Sequence, residues 1–123
     1  MIFRFSSFWY ANVYSLLDGE SKATLFRSRY EMLLQRTARH DLFSPSAAIT
    51  GKAERKFQLK KIDYLLSTTN KLTDVIVLGM LTQVKHGKYS LEDPTGVVDL
   101  DMAEAKFHKG LFTENCFVLV EGW

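Results

Sequence analysis

The chain has 123 residues, 46% hydrophobic and 13% aromatic, enough to bury the core of one small domain with a modest extension. A single cysteine excludes an internal disulfide, and with three scattered histidines it excludes the common structural zinc patterns, so a reducing compartment is the natural reading. The net charge of +2 conceals an asymmetry. Met1 to Lys61 carries eleven Lys/Arg against five Asp/Glu, a net of +6, whereas Ile62 to Trp123 carries five against nine, a net of −4.

Residues 1–21 open with "MIFRFSSFWYANVYSLL", which is aromatic-rich but is expected to be neither a membrane span nor a secretion signal. No apolar run approaches the roughly 20 residues a membrane helix needs. Ser6, Ser7 and Asn12 interrupt the apolar stretch, and no small-x-small cleavage site follows. Ordinary packing is the better reading than a membrane-surface helix, because Arg4 is the one early cation available to a basic face.

Residues 22–43 read as an amphipathic helix. Phe26, Tyr30, Leu33, Leu34 and Thr37 fall on one stripe, Ser21 is the expected N-cap and Pro45 closes the segment. Arg27, Arg29, Arg36 and Arg39 mostly fall away from that stripe. They make a solvated face rather than a nucleic-acid grip, since Glu31 and Asp41 dilute the charge. Residues 44–56, "SPSAAITGKAERK", have no period and read as a linker. A short helix is expected across "FQLKKIDYLLS", with Leu59, Ile62, Leu65 and Leu66 on one side, before the loop "TTNKLTD".

After Asp74 the period changes from 3.6 to 2. "VIVLGMLTQVKHGKYSLED" begins as a continuous apolar run and ends in alternation, the pattern of a strand buried on both faces at first and on one face later. Gly79 inside it suggests a bend or bulge, and Gly87 in "KHGK" supplies a hairpin turn. A second strand points Tyr89 and Leu91 inward, with Lys88, Ser90 and Glu92 outward. In "DPTG", Asp93 bonds its own backbone, Pro94 presets φ and Gly96 is expected to accept φ > 0. A third strand sets Val98, Leu100 and Met102 against Val97, Asp99 and Asp101. A helix over "AEAKFHKGLF" and a last buried strand, "CFVLVEGW", complete the expected order.

The densest chemistry is "LEDPTGVVDLD", with four carboxylates in eleven residues. Strand alternation places Asp99 and Asp101 on the solvent side, Glu92 outward on the preceding strand and Asp93 in the turn. "DLDMAEAKFHKG" lacks the Asp/Asn and Gly positions that close a calcium loop. Exposed acids on a hairpin have neither the cleft nor the raised pKa values of a two-carboxylate hydrolase, so the cluster reads as an acidic turn. His86 falls in a turn, His108 on the expected helix and Cys116 in an apolar strand, where a buried structural cysteine is the expectation. No phosphate loop, nucleophile elbow or paired-histidine motif is present. No catalytic, cofactor-binding or metal residue is therefore assigned, and the chain reads as a non-enzyme.

Three strands, a helix and a fourth strand follow the order of an OB-fold. The fold class expected is mostly β with flanking α. It is an incomplete OB-fold over residues 57–123, with four of five barrel strands, the helix between strands three and four, and an N-terminal helical extension. A barrel of this kind closes only with its fifth strand, and an open edge beside "CFVLV" needs a cover. A fragment, a short isoform or a partner-dependent domain is the expectation.

Three stretches in one order, "FRSRYEMLLQRTARHDLFSP", "FQLKKIDYLLSTTNK" and "VIVLGMLTQVKHGKYSLEDPTGVVDLDMAEAKFHKGLFTENCFVLVEGW", carry a resemblance. From about Leu16 to Trp123 the chain resembles the B-subunit family of DNA polymerase epsilon. B subunits of other replicative polymerases share the OB pattern but much less of "QRTARHDLFSP". The resemblance implies a non-catalytic scaffold in the nucleus. Family members carry a helical N-terminal domain, an OB domain and a phosphoesterase-like domain without its metal ligands. The last two together hold the zinc-bearing C-terminal tail of the catalytic subunit. It implies contact with DNA only through the complex, with no membrane and no small-molecule substrate. "MIFRFSSFWYANVYS" departs from the family pattern, and no individual interface residue carries over. The alternative is a free-standing OB nucleic-acid-binding module. Such modules pair a basic groove with stacking aromatics, whereas this β half carries a net −4 and Tyr89 is nearly its only aromatic on the first three strands.

Overall fold

The computed structural model describes residues 19–44, 57–108 and 110–122. The expected linker lies outside the described residues apart from Ser44, as do Pro45 and the N-terminal segment through residue 18. Helix α1 runs Gly19–Ala38, so Ser21 lies inside its first turn and is not its cap. Glu20 in the first turn and Arg36 in the last suit the helix dipole. The helix ends earlier than expected. Past Thr37 the chain turns back, with the N–H groups of Phe43 and Ser44 donating to the His40 carbonyl at 2.8 Å each. Phe43 then meets Phe57, ring centroids 6.2 Å apart, and the Phe57 N–H donates to the Leu42 carbonyl. Thr37, buried mid-helix, satisfies its hydroxyl by donating to the Leu33 carbonyl at 2.8 Å.

The expected helix over residues 57–67 forms in its second half alone. Leu59–Lys60 is a short strand, β1, and Ile62–Ser67 is helix α2. The reason is a division of labour: Leu59 packs toward α1, while Ile62 is buried in a different core, and one helical stripe cannot serve both. Four more strands follow, β2 (Val75–Lys85), β3 (Lys88–Asp93), β4 (Gly96–Leu100) and β5 (Phe117–Gly122).

Strand β2 organises the sheet. Its first half pairs antiparallel with β5 from Val75↔Gly122 to Met80↔Phe117, and its second half pairs with β3 from Met80↔Glu92 to Lys85↔Lys88. Since β5 takes one edge, β1, parallel at Leu59↔Ile76, and β3 take successive stretches of the other. Strand β4 then pairs with β3 through Leu91↔Val98. The long apolar run is thus buried on both faces, as expected. Val77 and Leu81 join Ile62, Leu91, Val118 and Val120 in an inner core, whereas Leu78 joins Tyr30, Leu33 and Phe117 in a core under α1.

Two glycines behave differently. Gly87 holds φ at 78° in the β2–β3 turn, as its position in "KHGK" predicts. The ladder irregularity falls between Gln83 and Lys85 and not at Gly79. Gly79 is instead a close-approach site: a Cβ there would lie 2.6 Å from Leu91 Cγ and 3.0 Å from the Glu92 carbonyl oxygen. The curl of β2 over β3 needs the missing side chain.

The helix expected over Ala103–Phe112 is absent among the described residues. Its place is taken by turns, with the Ala103 N–H donating to Asp101 Oδ1 at 3.0 Å and Gly110 at φ 131°. Phe112 packs on the inner core, but Phe107 and Leu111 remain exposed, Leu111 at 81%. A segment this short without a face to bury does not repay helix nucleation. Asn115, in the left-handed region at φ 65°, then turns the chain into β5, its N–H donating to the Leu81 carbonyl at 2.7 Å.

Candidate interaction site at the open seam

The inner faces of β2–β5 curl around one core, but the curl is unfinished. Among the described residues β4 pairs with β3 alone and β5 with β2 alone, so each has one unpaired edge. Between them lies a cavity of about 290 Å³ lined by Val98, Asp99 and Leu100 of β4, Val120 and Gly122 of β5, Val75 and Val77, Leu91, and Leu65, Asn70 and Leu72. Apart from Asn70 and Asp99 its wall is aliphatic or backbone. Chemically it accepts apolar side chains, and its strand edges accept backbone hydrogen bonds.

One end of this curled sheet is sealed by α2, and the seal explains the turn "DPTG". Lys61, the N-cap position of α2, makes no side-chain cap. Asp93, 31 residues beyond Ile62, does so instead: its Oδ2 accepts from the Ile62 N–H at 2.9 Å. Its Oδ1 accepts from the Thr95 N–H at 2.7 Å, the Thr95 hydroxyl at 2.6 Å and the Gly96 N–H at 3.0 Å. Thr95 Oγ1 accepts in turn from the Asp63 N–H at 3.1 Å. Asp93 is 7% exposed with both oxygens engaged, so it is a structural cap and unavailable to a metal or substrate. Its place in the turn was legible; its second role was signalled only by a helix start, "KKID", without a capping side chain. Gly96 does not adopt the positive φ expected of it; it is needed instead to let the helix approach, because a Cβ there would lie 3.1 Å from Leu66 Cδ1 and 3.3 Å from Ile62 Cγ2.

The other three acids do not join Asp93. Glu92 and Asp99 are exposed, as the alternation predicts; Asp101 is exposed too, but β4 ends at Leu100, short of the expected strand through Met102. Ser90, expected to be solvated, is buried between its cross-strand neighbours Thr82 and Asp99 and donates to Asp99 Oδ1 at 2.9 Å. His86 and His108 are exposed, His108 on irregular chain where a helix was expected. Cys116 is half-buried just before β5, and burial pushes its thiol pKa up, away from the nucleophilic form. Among the described residues no three His, Cys, Asp or Glu side chains come close enough to hold a metal ion. No helix among them is long and apolar enough to cross a membrane.

A second, more polar groove of about 360 Å³ opens between α1 and the sheet, bounded by Ala23, Phe26, Arg27, Tyr30, Met80, Glu92, Asp93, Pro94 and Phe117. Tyr30 is its buried floor, its ring centroid 6.5 Å from that of Phe117. Burial first, then the carboxylates of Asp93, Glu31 and Asp63, push its phenol pKa up to about 12. That environment keeps Tyr30 a neutral packing residue.

A curled sheet, antiparallel except for the short β1, in this strand order and plugged at one end by a helix, defines an open OB-type barrel. Residues 19–123 match the family described as "DNA polymerase epsilon subunit 2-like, OB-fold domain", and the chain belongs to that family. It is 59% identical over 107 residues to DNA polymerase epsilon subunit 2 of Bos taurus, across 85% of this chain and 20% of that protein. It is 58% identical over 104 residues to the Homo sapiens protein, across 83% and 20%. The Drosophila melanogaster protein is 48% identical over 105 residues, across 82% and 20%. The chain therefore spans about a fifth of the length of these curated relatives. The matched region begins at α1, so that helix belongs with the sheet whose outer face it covers.

Proposed function

We propose that this chain is the OB portion of a non-catalytic accessory subunit of the nuclear DNA polymerase epsilon complex, acting by contact and without chemistry. The observation that carries the reading is the match of residues 19–123 to the subunit 2-like OB-fold family, on a sheet with an aliphatic cavity of about 290 Å³ beside strand edges unpaired among the described residues. Such a surface recruits an apolar, strand-forming segment and offers nothing to a polar substrate. The relatives named as second subunits of this polymerase supply the context. The finer reading is that the surface helps hold the zinc-bearing C-terminal tail of the catalytic subunit, so that DNA is reached through the complex.

Co-purification of the chain with that tail is the test. Co-elution through size exclusion that is lost in Leu100→Glu, with the far-UV spectrum kept, supports the reading. Leu100 serves because it is half-buried at the seam. A chain that ignores the tail but grips single-stranded DNA, with affinity falling steeply in salt, overturns it in favour of a nucleic-acid module.

A further inference from the structure

Helix α1 has two regular rows, and the sheet uses one. Phe26, Tyr30, Leu33 and Thr37 pack inward. A second row, Lys22, Leu25, Arg29, Met32, Arg36 and Arg39, advances by alternating steps of three and four, the spacing of a coiled-coil seam. It reaches the C-terminal end of the helix, where the Arg39 N–H still donates to the Gln35 carbonyl at 3.2 Å. Its two apolar members stand out in solvent, Leu25 at 45% and Met32 at 65% exposure, two turns apart. Every other member is a cation, and the acids of the helix, Glu20 and Glu31, fall off the row.

From this row we infer a docking surface for an acidic amphipathic helix of another protein. Leucines or other apolar residues of that helix pack on Leu25 and Met32, and its flanking carboxylates face Lys22 and Arg39 at the two ends of the row. The charge pattern selects the occupant. A second copy of the chain would set arginine against arginine, which opposes self-association through this face. A phosphate backbone would satisfy the cations but would leave Met32 and Leu25, at the middle of the row, without apolar contact. This surface lies on α1 and not at the seam, so the inference stands or falls apart from the proposed function.

The probe is a synthetic peptide about three heptads long, with leucine at alternating three- and four-residue steps and glutamate on either side. Binding is read by fluorescence anisotropy and by the gain of peptide helicity. Arg29 and Arg36 have interactions of their own within the chain, so the variants chosen are Met32→Ser and Arg39→Glu. Both residues are exposed, and an unchanged melting temperature checks that the fold is kept. The expected result is saturable binding with helix formation, weakened about tenfold or more by either substitution. The inference is overturned if the peptide fails to bind or a scrambled peptide of the same composition binds equally well. It also fails if Met32→Ser is silent while an oligodeoxynucleotide displaces the peptide, or if Met32→Ser abolishes dimerisation of the chain itself.

Discussion

Val77 and Leu78 are neighbours on β2, yet they serve two cores of different character. Leu78 faces a core that is covered, with α1 laid over the outer sheet face through Tyr30 and Leu33. Val77 faces a core assembled from strands and α2, capped at one end by Asp93 and open between β4 and β5. Each face can contribute apolar burial at roughly 1.5–3 kcal/mol per large side chain. The difference lies in what completes each one. The outer core is finished by a helix of the described chain, and the inner core presents its last wall as a surface. Opposite faces of one strand are thus enclosed to different extents among the described residues.

Truncating each side separately gives the largest effects. Leu78→Ala and Leu91→Ala should each cost about 2–5 kcal/mol in chemical denaturation. Hydrogen exchange tells them apart: Leu78→Ala should expose α1 amides while β3 amides stay protected, and Leu91→Ala should release both sets. Simultaneous release in Leu78→Ala would mean that the two cores are one cooperative unit. Gly79→Ala comes next, at about 1–3 kcal/mol, through its clash with Leu91. In the Leu91→Ala background that cost should shrink without vanishing, because the Glu92 carbonyl still lies 3.0 Å from the new Cβ. A purely additive double mutant would place the constraint elsewhere.

Asp93→Asn sharpens the inner side. The amide oxygen can keep Thr95 and Gly96, but the amide NH2 then faces the Ile62 N–H, donor against donor. A loss of about 1–3 kcal/mol is expected, with α2 amides exchanging first. On the outer side, Tyr30 has a folded pKa of about 12 against an ordinary 10.0. A raised pKa of this kind contributes stability that is complete below pH 10 and is lost as pH rises toward 12. The wild type should therefore lose up to about 2 kcal/mol relative to Tyr30→Phe over that window. Parallel melting curves for the two proteins would remove the linkage. Last, Leu111→Ser should change stability by less than about 0.5 kcal/mol, since its side chain stands in solvent.

Local pattern alone marked the double-sided burial of β2, the turn at Gly87, the outward acids Asp99 and Asp101 and the amphipathic stripe of α1. Each depends on period or turn chemistry within a few residues, which sequence displays directly. It failed where neighbours distant in the chain decide. "AEAKFHKGLF" has helix-forming residues but finds no surface to bury Phe107 and Leu111. "FQLKKIDYLLS" reads as one helical stripe until β2 draws Leu59 and Lys60 into pairing. The open seam between β4 and β5 was legible in the order of elements, whereas its lining, with Leu72 and Asn70 from a loop, was not.

The amino-acid sequence by itself determined the run of strands, the acidic turn and the hairpin at Gly87, because periodicity and residue chemistry are local properties. Only the tertiary structure decided that Asp93 would cap a helix 31 residues upstream, that Gly79 would yield its space to Leu91, and that one face of β2 would be covered while the other stays open. Those outcomes depend on which segments meet in space. Burial, which supplies most of the free energy, rewards such meetings without leaving a local mark.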